Sequence, residues 1–170
     1  RLDYSSDTTA CVAKGPLSVA RNNTGGTGNT SYGWWAGGQT SPGPLTTIVD
    51  RLDYSSDTTT CSPRGNLTAG REYLGATSSR ENNLPTEHIY STYISNSDEI
   101  SGTRNPLPNY GWFGGGYPGT VSTVDRIDFA SDTATASVRS PLSLARAYLS
   151  AAGNNDYGWW VGGEAPYTTI

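Results

Sequence analysis

The sequence predicts an all-β protein assembled from tandem copies of one unit. Three observations predict it. An eight-residue segment recurs unchanged, a Tyr-Gly-aromatic signature ending in paired glycines recurs three times, and the composition favours turns and short strands. Hydrophobic residues are 34% and charged residues only 15% of the chain, while aromatics reach 11%. That balance lacks the high net charge of a disordered tail.

Arg1-Leu2-Asp3-Tyr4-Ser5-Ser6-Asp7-Thr8 returns as Arg51 to Thr58, and again, edited, as Arg126-Ile127-Asp128-Phe129-Ala130-Ser131-Asp132-Thr133. Each copy is followed at fixed offsets by a base (Lys14, Arg64, Arg139), a leucine (Leu17, Leu67, Leu142) and an arginine (Arg21, Arg71, Arg146). The second signature, Tyr32-Gly33-Trp34-Trp35-Ala36-Gly37-Gly38, matches Tyr157-Gly158-Trp159-Trp160-Val161-Gly162-Gly163. Tyr110-Gly111-Trp112-Phe113-Gly114-Gly115-Gly116 lies between them. The units are then approximately 1–50, 51–125 and 126–170, and the middle one carries an insertion at about 79–108. Part of that insertion, Ser97 to Leu107, echoes Ser131 to Leu142. It reads either as a decayed fourth unit or as a long surface loop.

Within the unit, Ile48 to Tyr54 has strand character, with Leu52 and Tyr54 on one face and Arg51 and Asp53 on the other. Ser55-Ser56-Asp57 supplies a turn. Thr58 to Cys61 begins a second strand, and Pro63 to Leu67 is a loop. Arg146 to Ala152 is a third strand, Gly153 to Asp156 a hairpin turn, and Tyr157 to Val161 a fourth strand stopped by Gly162-Gly163. Four short antiparallel strands per unit of ~45 residues is the pattern of a propeller blade. Heptads are absent, and only Leu142 to Leu149 hints at helical spacing.

The order of these signatures resembles the kelch repeat. Kelch units carry a basic residue before the first strand, matched by Arg71 and Arg146. A double glycine ends the second, matched by Gly37-Gly38, Gly115-Gly116 and Gly162-Gly163. A Tyr-Asp pair sits in the third, matched by Asp53-Tyr54 and its copies. The pattern departs at the fourth strand, where kelch blades place a tryptophan and Cys11, Cys61 and Ser137 stand here. The near identity of the copies is also similar in style to repeat proteins of phages and large viruses. The resemblance implies a radial array of blades, more than this chain holds. The expectation is therefore an excerpt of a longer array, or copies that associate to complete one.

The repeated charges Arg51/Asp53, Arg1/Asp3 and Arg126/Asp128 admit two readings, a ring recognising a ligand or a contact tying one blade to the next. The aromatic residues Tyr32, Trp34, Trp35, Tyr110, Trp112, Tyr157, Trp159 and Trp160 likewise admit packing between blades or platforms for sugar rings. Adjacent tryptophans on a strand point to opposite faces. The glycine pairs answer backbone requirements, and Gly25 to Gly28 lacks the lysine of a phosphate loop. Cys11 and Cys61 are expected as thiols. No cofactor and no metal site are expected, since two cysteines and the single His88 do not complete a zinc tetrad.

The net charge of −4 and the absence of a basic stripe speak against nucleic acid, and no apolar run suggests a membrane span. Asn22-Asn23-Thr24, Asn29-Thr30-Ser31 and Asn66-Leu67-Thr68 are glycosylation sequons. No catalytic motif is recognisable. The sequence thus points to a non-catalytic structural or adhesive repeat module of a surface appendage, fibre or virion, extracellular or on the virion surface. Its expected partners are further repeats, other copies, other structural proteins or glycans. A carbohydrate-binding lectin is the first alternative and a polysaccharide-active hydrolase or lyase the second.

Overall fold

The computed structural model describes residues 1–6, 8–79, 109–154 and 156–165. Apart from Ser79, the expected insertion lies outside them, with His88 and the Asp98-Glu99 pair. The described chain is all-β, with two short 3-10 turns and no α-helix.

Ten strands form three antiparallel sheets. The first sheet runs in sequence order through β1 (Gly25–Gly28), β2 (Tyr32–Ala36), β3 (Val49–Asp53) and β4 (Ser62–Pro63). The second repeats it with β5 (Gly75–Ser78), β6 (Tyr110–Gly114), β7 (Val124–Asp128) and β8 (Ser137–Arg139). The third pairs β9 (Ala147–Gly153) with β10 (Gly158–Glu164). Register repeats with the sequence. Trp34 stands opposite Arg51 as Trp112 stands opposite Arg126. Each four-stranded sheet crosses a border between sequence units, taking its first two strands from one unit and its last two from the next.

Local chemistry moves several strand limits from where the sequence places them. Tyr54 is not on the strand. The Asp53 carboxylate accepts from the Ser55 amide at 2.9 Å and from its hydroxyl at 2.6 Å, which curls Tyr54–Ser56 into a 3-10 turn. Thr58 to Cys61 is not a strand either. The turn continues, with the Thr59 amide donating to the Ser56 carbonyl, and the Cys61 amide donates to Pro16 at 2.9 Å. Pairing resumes only at Ser62–Pro63, so Pro63 belongs to a strand rather than a loop. Strand β10 continues through Gly162-Gly163 to Glu164, opposite Ala147. The third sheet has two strands among the described residues, not four.

The sheets stack through their first strands: β1 lies against β5, and β5 against β9. A core of Trp34, Val49, Leu67, Leu74, Phe113, Ile127 and Phe129 fills the space between the first two sheets. Large aromatics dominate it, as expected when glycines leave little aliphatic bulk. No sheet closes on itself among the described residues.

Candidate functional site

The repeated aromatic and charged residues converge at the boundary between sheets. Trp34, on β2, is fully buried. Its indole stacks on Phe129 of the second sheet at 3.8 Å and 8°. Its Nε1 donates to Asp132 Oδ2 at 2.9 Å. The same carboxylate oxygen accepts from Arg51 Nη1 at 3.0 Å and faces Arg64 Nε at 3.6 Å, an ionic contact too long for a hydrogen bond. One aspartate of the second sheet thus gathers an indole and two guanidinium groups from the first.

Backbone contacts lock the joint. The Gly65 amide donates to the Asp132 carbonyl, and Ala136 donates to Asn66, both at 2.7 Å. A Cβ on Gly65 would lie 1.6 Å from the Ala134 carbonyl oxygen, so only glycine fits there.

The joint occurs again one unit earlier. Asp57 takes Arg1 Nη1 at 2.7 Å and Lys14 Nζ at 3.1 Å, and Gly15 donates to the Asp57 carbonyl at 2.8 Å. The Lys14 hydrogen bond, followed by the charges of Arg1 and Lys14, holds the Asp57 carboxyl below its ordinary pKa against the opposing effect of desolvation. Among the described residues, no tryptophan fills the indole position here. Beside Tyr54 and Asp57 lies an open pocket, lined also by Leu17, Trp35 and Leu52.

Exposure of the equivalent tryptophans follows the presence of a neighbour. Trp34 is covered by the second sheet, Trp112 is half-buried, and Trp159 at the third sheet is 49% exposed. Trp112 and Trp159 line a second pocket. The adjacent aromatics face the other way: Trp160 donates to the Gly75 carbonyl of the preceding sheet at 3.2 Å, Phe113 is buried, and Trp35 is half-buried. The tyrosines pack edge-on to their tryptophans at 5.8 Å for Tyr32 and 5.9 Å for Tyr110, while Tyr157 lies 6.0 Å from Trp159. Arg51 and Arg126 cover the rings of Tyr32 and Tyr110. Asp128, like Asp53, binds its own turn by accepting from the Ala130 amide.

A second motif pins each of the two four-stranded sheets internally, and the sequence reading missed it. Arg21 pairs with Asp50 at 2.9 Å and Arg71 with Asp125 at 3.2 Å, all four side chains buried. Arg21 also donates to the Trp35 carbonyl and Arg71 to the Phe113 carbonyl. Burial pulls the Arg71 pKa down, and Asp125 opposes the shift. The signal was the recurring Val-Asp-Arg triplet at Val49 and Val124, in which the aspartate precedes the arginine singled out from sequence. Gly37, Gly115 and Gly162 occupy left-handed conformations, at φ +67°, +70° and +71°. Cys11 is an exposed and Cys61 a buried free thiol. Among the described residues, no group of His, Cys, Asp or Glu is placed to hold a metal ion.

No family model and no curated protein matches the chain. Among solved structures, the fold is similar to that of YjhT. The two share 14% identity with a TM-score of 0.59 over 87% of this chain and 40% of the YjhT chain. At that identity the likeness speaks of fold alone. The chain spans less than half the length of YjhT.

Proposed function

We propose that this chain is a non-catalytic repeat module, its sheets the blades of a kelch-like propeller, serving in a structural or adhesive assembly. The reading rests chiefly on one observation. The residues repeated in every unit meet each other across the boundary between sheets, and their burial tracks whether the neighbouring sheet is there. Repetition then serves stacking, the one-dimensional logic of a repeat array. The uncovered faces of Trp112 and Trp159 on one side, and of Tyr54 and Trp35 on the other, suit a further unit of the same repeat, carried by this chain or by another copy. A place on a cell surface appendage or virion accords with such a scaffold.

Acrylamide quenching of tryptophan fluorescence in the full-length protein, with light scattering, tests the assembly. Protected tryptophans in a closed or polymeric particle are the expected result. A monodisperse single copy with freely quenched Trp112 and Trp159 overturns it. Exposed Trp159 beside Tyr157 gives the lectin alternative its one supporting observation, since a flat indole face suits a pyranose ring. Glycan-array binding lost in Trp159→Ala would favour that alternative, and an array without binding would remove it.

A further inference from the structure

The joint residues keep their charge or aromatic character from unit to unit, Lys14 standing for Arg64 and Tyr54 for Phe129, but another set of positions does not. Asn22, Glu72 and Ala147 are equivalent, as are Asn23, Tyr73 and Tyr148, and then Gln39, Tyr117 and Glu164. These positions lie together where the first strand of each sheet begins. The Tyr148 amide donates to the Tyr73 carbonyl at 2.9 Å, and the Tyr73 amide to Asn23 at 3.1 Å, linking the three sheets through their backbones. Asn23, Tyr73 and Tyr148 all hold left-handed conformations, at φ +55°, +54° and +59°. Tyrosine is a costly residue for that conformation. The rings of Tyr73 and Tyr148 lie 4.0 Å apart, and Tyr148 is 53% exposed. Tyr117 joins them through paired backbone hydrogen bonds with Glu72.

Glu72 is the anomaly. Four carboxylates are buried among the described residues. Asp50, Asp125 and Asp132 each face an arginine. Glu72, 5% exposed, has instead the neutral amide of Asn23 at 2.7 Å. Among the described residues no base pairs with Glu72 or with Glu164. The nearest arginines along the chain are engaged elsewhere, Arg71 with Asp125 and Arg146 with the Gly162 carbonyl. Burying a carboxylate without a cation is expensive. The Tyr148 phenol is held above its ordinary pKa, first by desolvation and then by Tyr73, Glu164, Glu72 and Tyr117, so these groups share one local field.

We propose that Glu72, Tyr73, Tyr117, Tyr148 and Glu164 form a recognition site for an organic cation, the ammonium or guanidinium of a lysine or arginine side chain on a partner protein. The ligand's cation supplies the counter-charge that Glu72 lacks, and the tyrosine faces add cation–π attraction. An anionic ligand would meet two uncompensated carboxylates. A neutral sugar would leave both unneutralised. The site goes beyond the stacking role above, resting only on the reading of the chain as a binding scaffold, and it can fail while that role stands.

The test titrates full-length protein, with isotope-labelled tyrosine rings, against Nα-acetyl-lysine methylamide and its arginine counterpart. Methyl glucoside is the neutral control, and ring chemical shifts are the readout. Saturable shifts at Tyr73, Tyr117 and Tyr148 that weaken with added salt are expected. Glu72→Gln keeps an acceptor for Asn23, and it should weaken binding ~tenfold or more, the usual scale for a hydrogen bond to a charged group. Tyr148→Ala, at an exposed ring, should weaken it while the Trp34 indole signal stays unchanged. Absence of saturable shifts, an undiminished response in Glu72→Gln, or an equal response to methyl glucoside would overturn the proposal.

Discussion

The indole of Trp34 lies flat on the ring of Phe129, and its nitrogen donates to Asp132 three residues further on. Two sheets remote in sequence are therefore joined by one side chain that has both an apolar face and a polar edge. Replacing it separates the two contributions. Trp34→Ala should destabilise the protein by about 3–5 kcal/mol, the range for a buried aromatic truncated to alanine. Trp34→Phe keeps the stack but leaves Asp132 one donor short, and should cost about 1–3 kcal/mol. Urea denaturation of both variants checks the order. Equal costs would mean that the stack contributes nothing, and a Trp34→Phe variant as stable as the parent would mean the same of the hydrogen bond.

The two classes of ion pair should separate as sharply. Arg71 and Asp125 are buried, so Asp125→Asn strands a guanidinium and should cost about 3–5 kcal/mol. Arg1, whose side chain is 62% exposed, also reaches an aspartate, but Arg1→Ala should change stability by no more than about 1 kcal/mol. Thermal melts of the two variants provide the comparison. A large Arg1 effect would show that the earlier joint carries more of the fold than its exposure suggests.

Much of this arrangement was legible in the repeat. The recurring Arg and Trp residues meet at the joint, and the alternation within Trp34-Trp35 sends the two rings to opposite faces, Trp34 toward the second sheet and Trp35 into the open pocket. The strand limits near Tyr54 were not legible, because hydrophobic alternation is blind to an aspartate that curls the next residues into a turn. Asp132 stands where Asp57 was read as part of a turn, but it accepts hydrogen bonds from Trp34 and Arg51 and faces Arg64. Its role depends on residues such as Trp34, which sequence spacing does not place beside it. Glu72 escaped notice for the opposite reason: it stands where the other units have Asn22 and Ala147, and a search for repetition passes over what does not repeat.

Gly65 makes the closest approach at the joint. An alanine there would drive its Cβ into the Ala134 carbonyl, a backbone atom that moves only if the two sheets part. Gly65→Ala should therefore cost about 1–3 kcal/mol or more, the usual scale of overpacking. Gly119 has open space around it, and its alanine variant would meet only the strain of its positive φ, about 1 kcal/mol. Denaturation midpoints that rank the two variants in reverse would contradict the joint as described.

Acid should loosen the turns before it touches the core. Hydrogen bonds from the Ser55 hydroxyl and amide lower the Asp53 pKa, and those from Lys14 and Arg1 lower that of Asp57, from an ordinary 3.8. A carboxyl whose pKa is lower folded than unfolded binds fewer protons in the folded state. Its contribution to stability is thus complete above the unfolded value and disappears as the pH falls through the folded one. The melting temperature should hold steady from neutral pH to about 5 and fall below about 4. Asp53→Asn retains an acceptor for Ser55 but has no proton to gain, so its melting curve should fall less steeply across that acid limb.

The two thiols give a direct reading of burial. Cys61 is buried and its amide donates to Pro16, and desolvation, followed by the Asp50 charge, raises its pKa. Cys11 is exposed. The thiolate is the species that reacts with an alkylating agent, so both access and ionisation favour Cys11. Iodoacetamide at neutral pH should modify Cys11 alone in the native protein, and Cys61 only after denaturant is added. Mass spectrometry of the two peptides distinguishes them. Since Cys61 is tied through its amide to Pro16, its labelling rate in mild urea reports how that joint opens. Cys61 reacting well before global unfolding would show that the joint opens as a local unit. Labelling at the global rate would show that the sheets part only when the whole array unfolds.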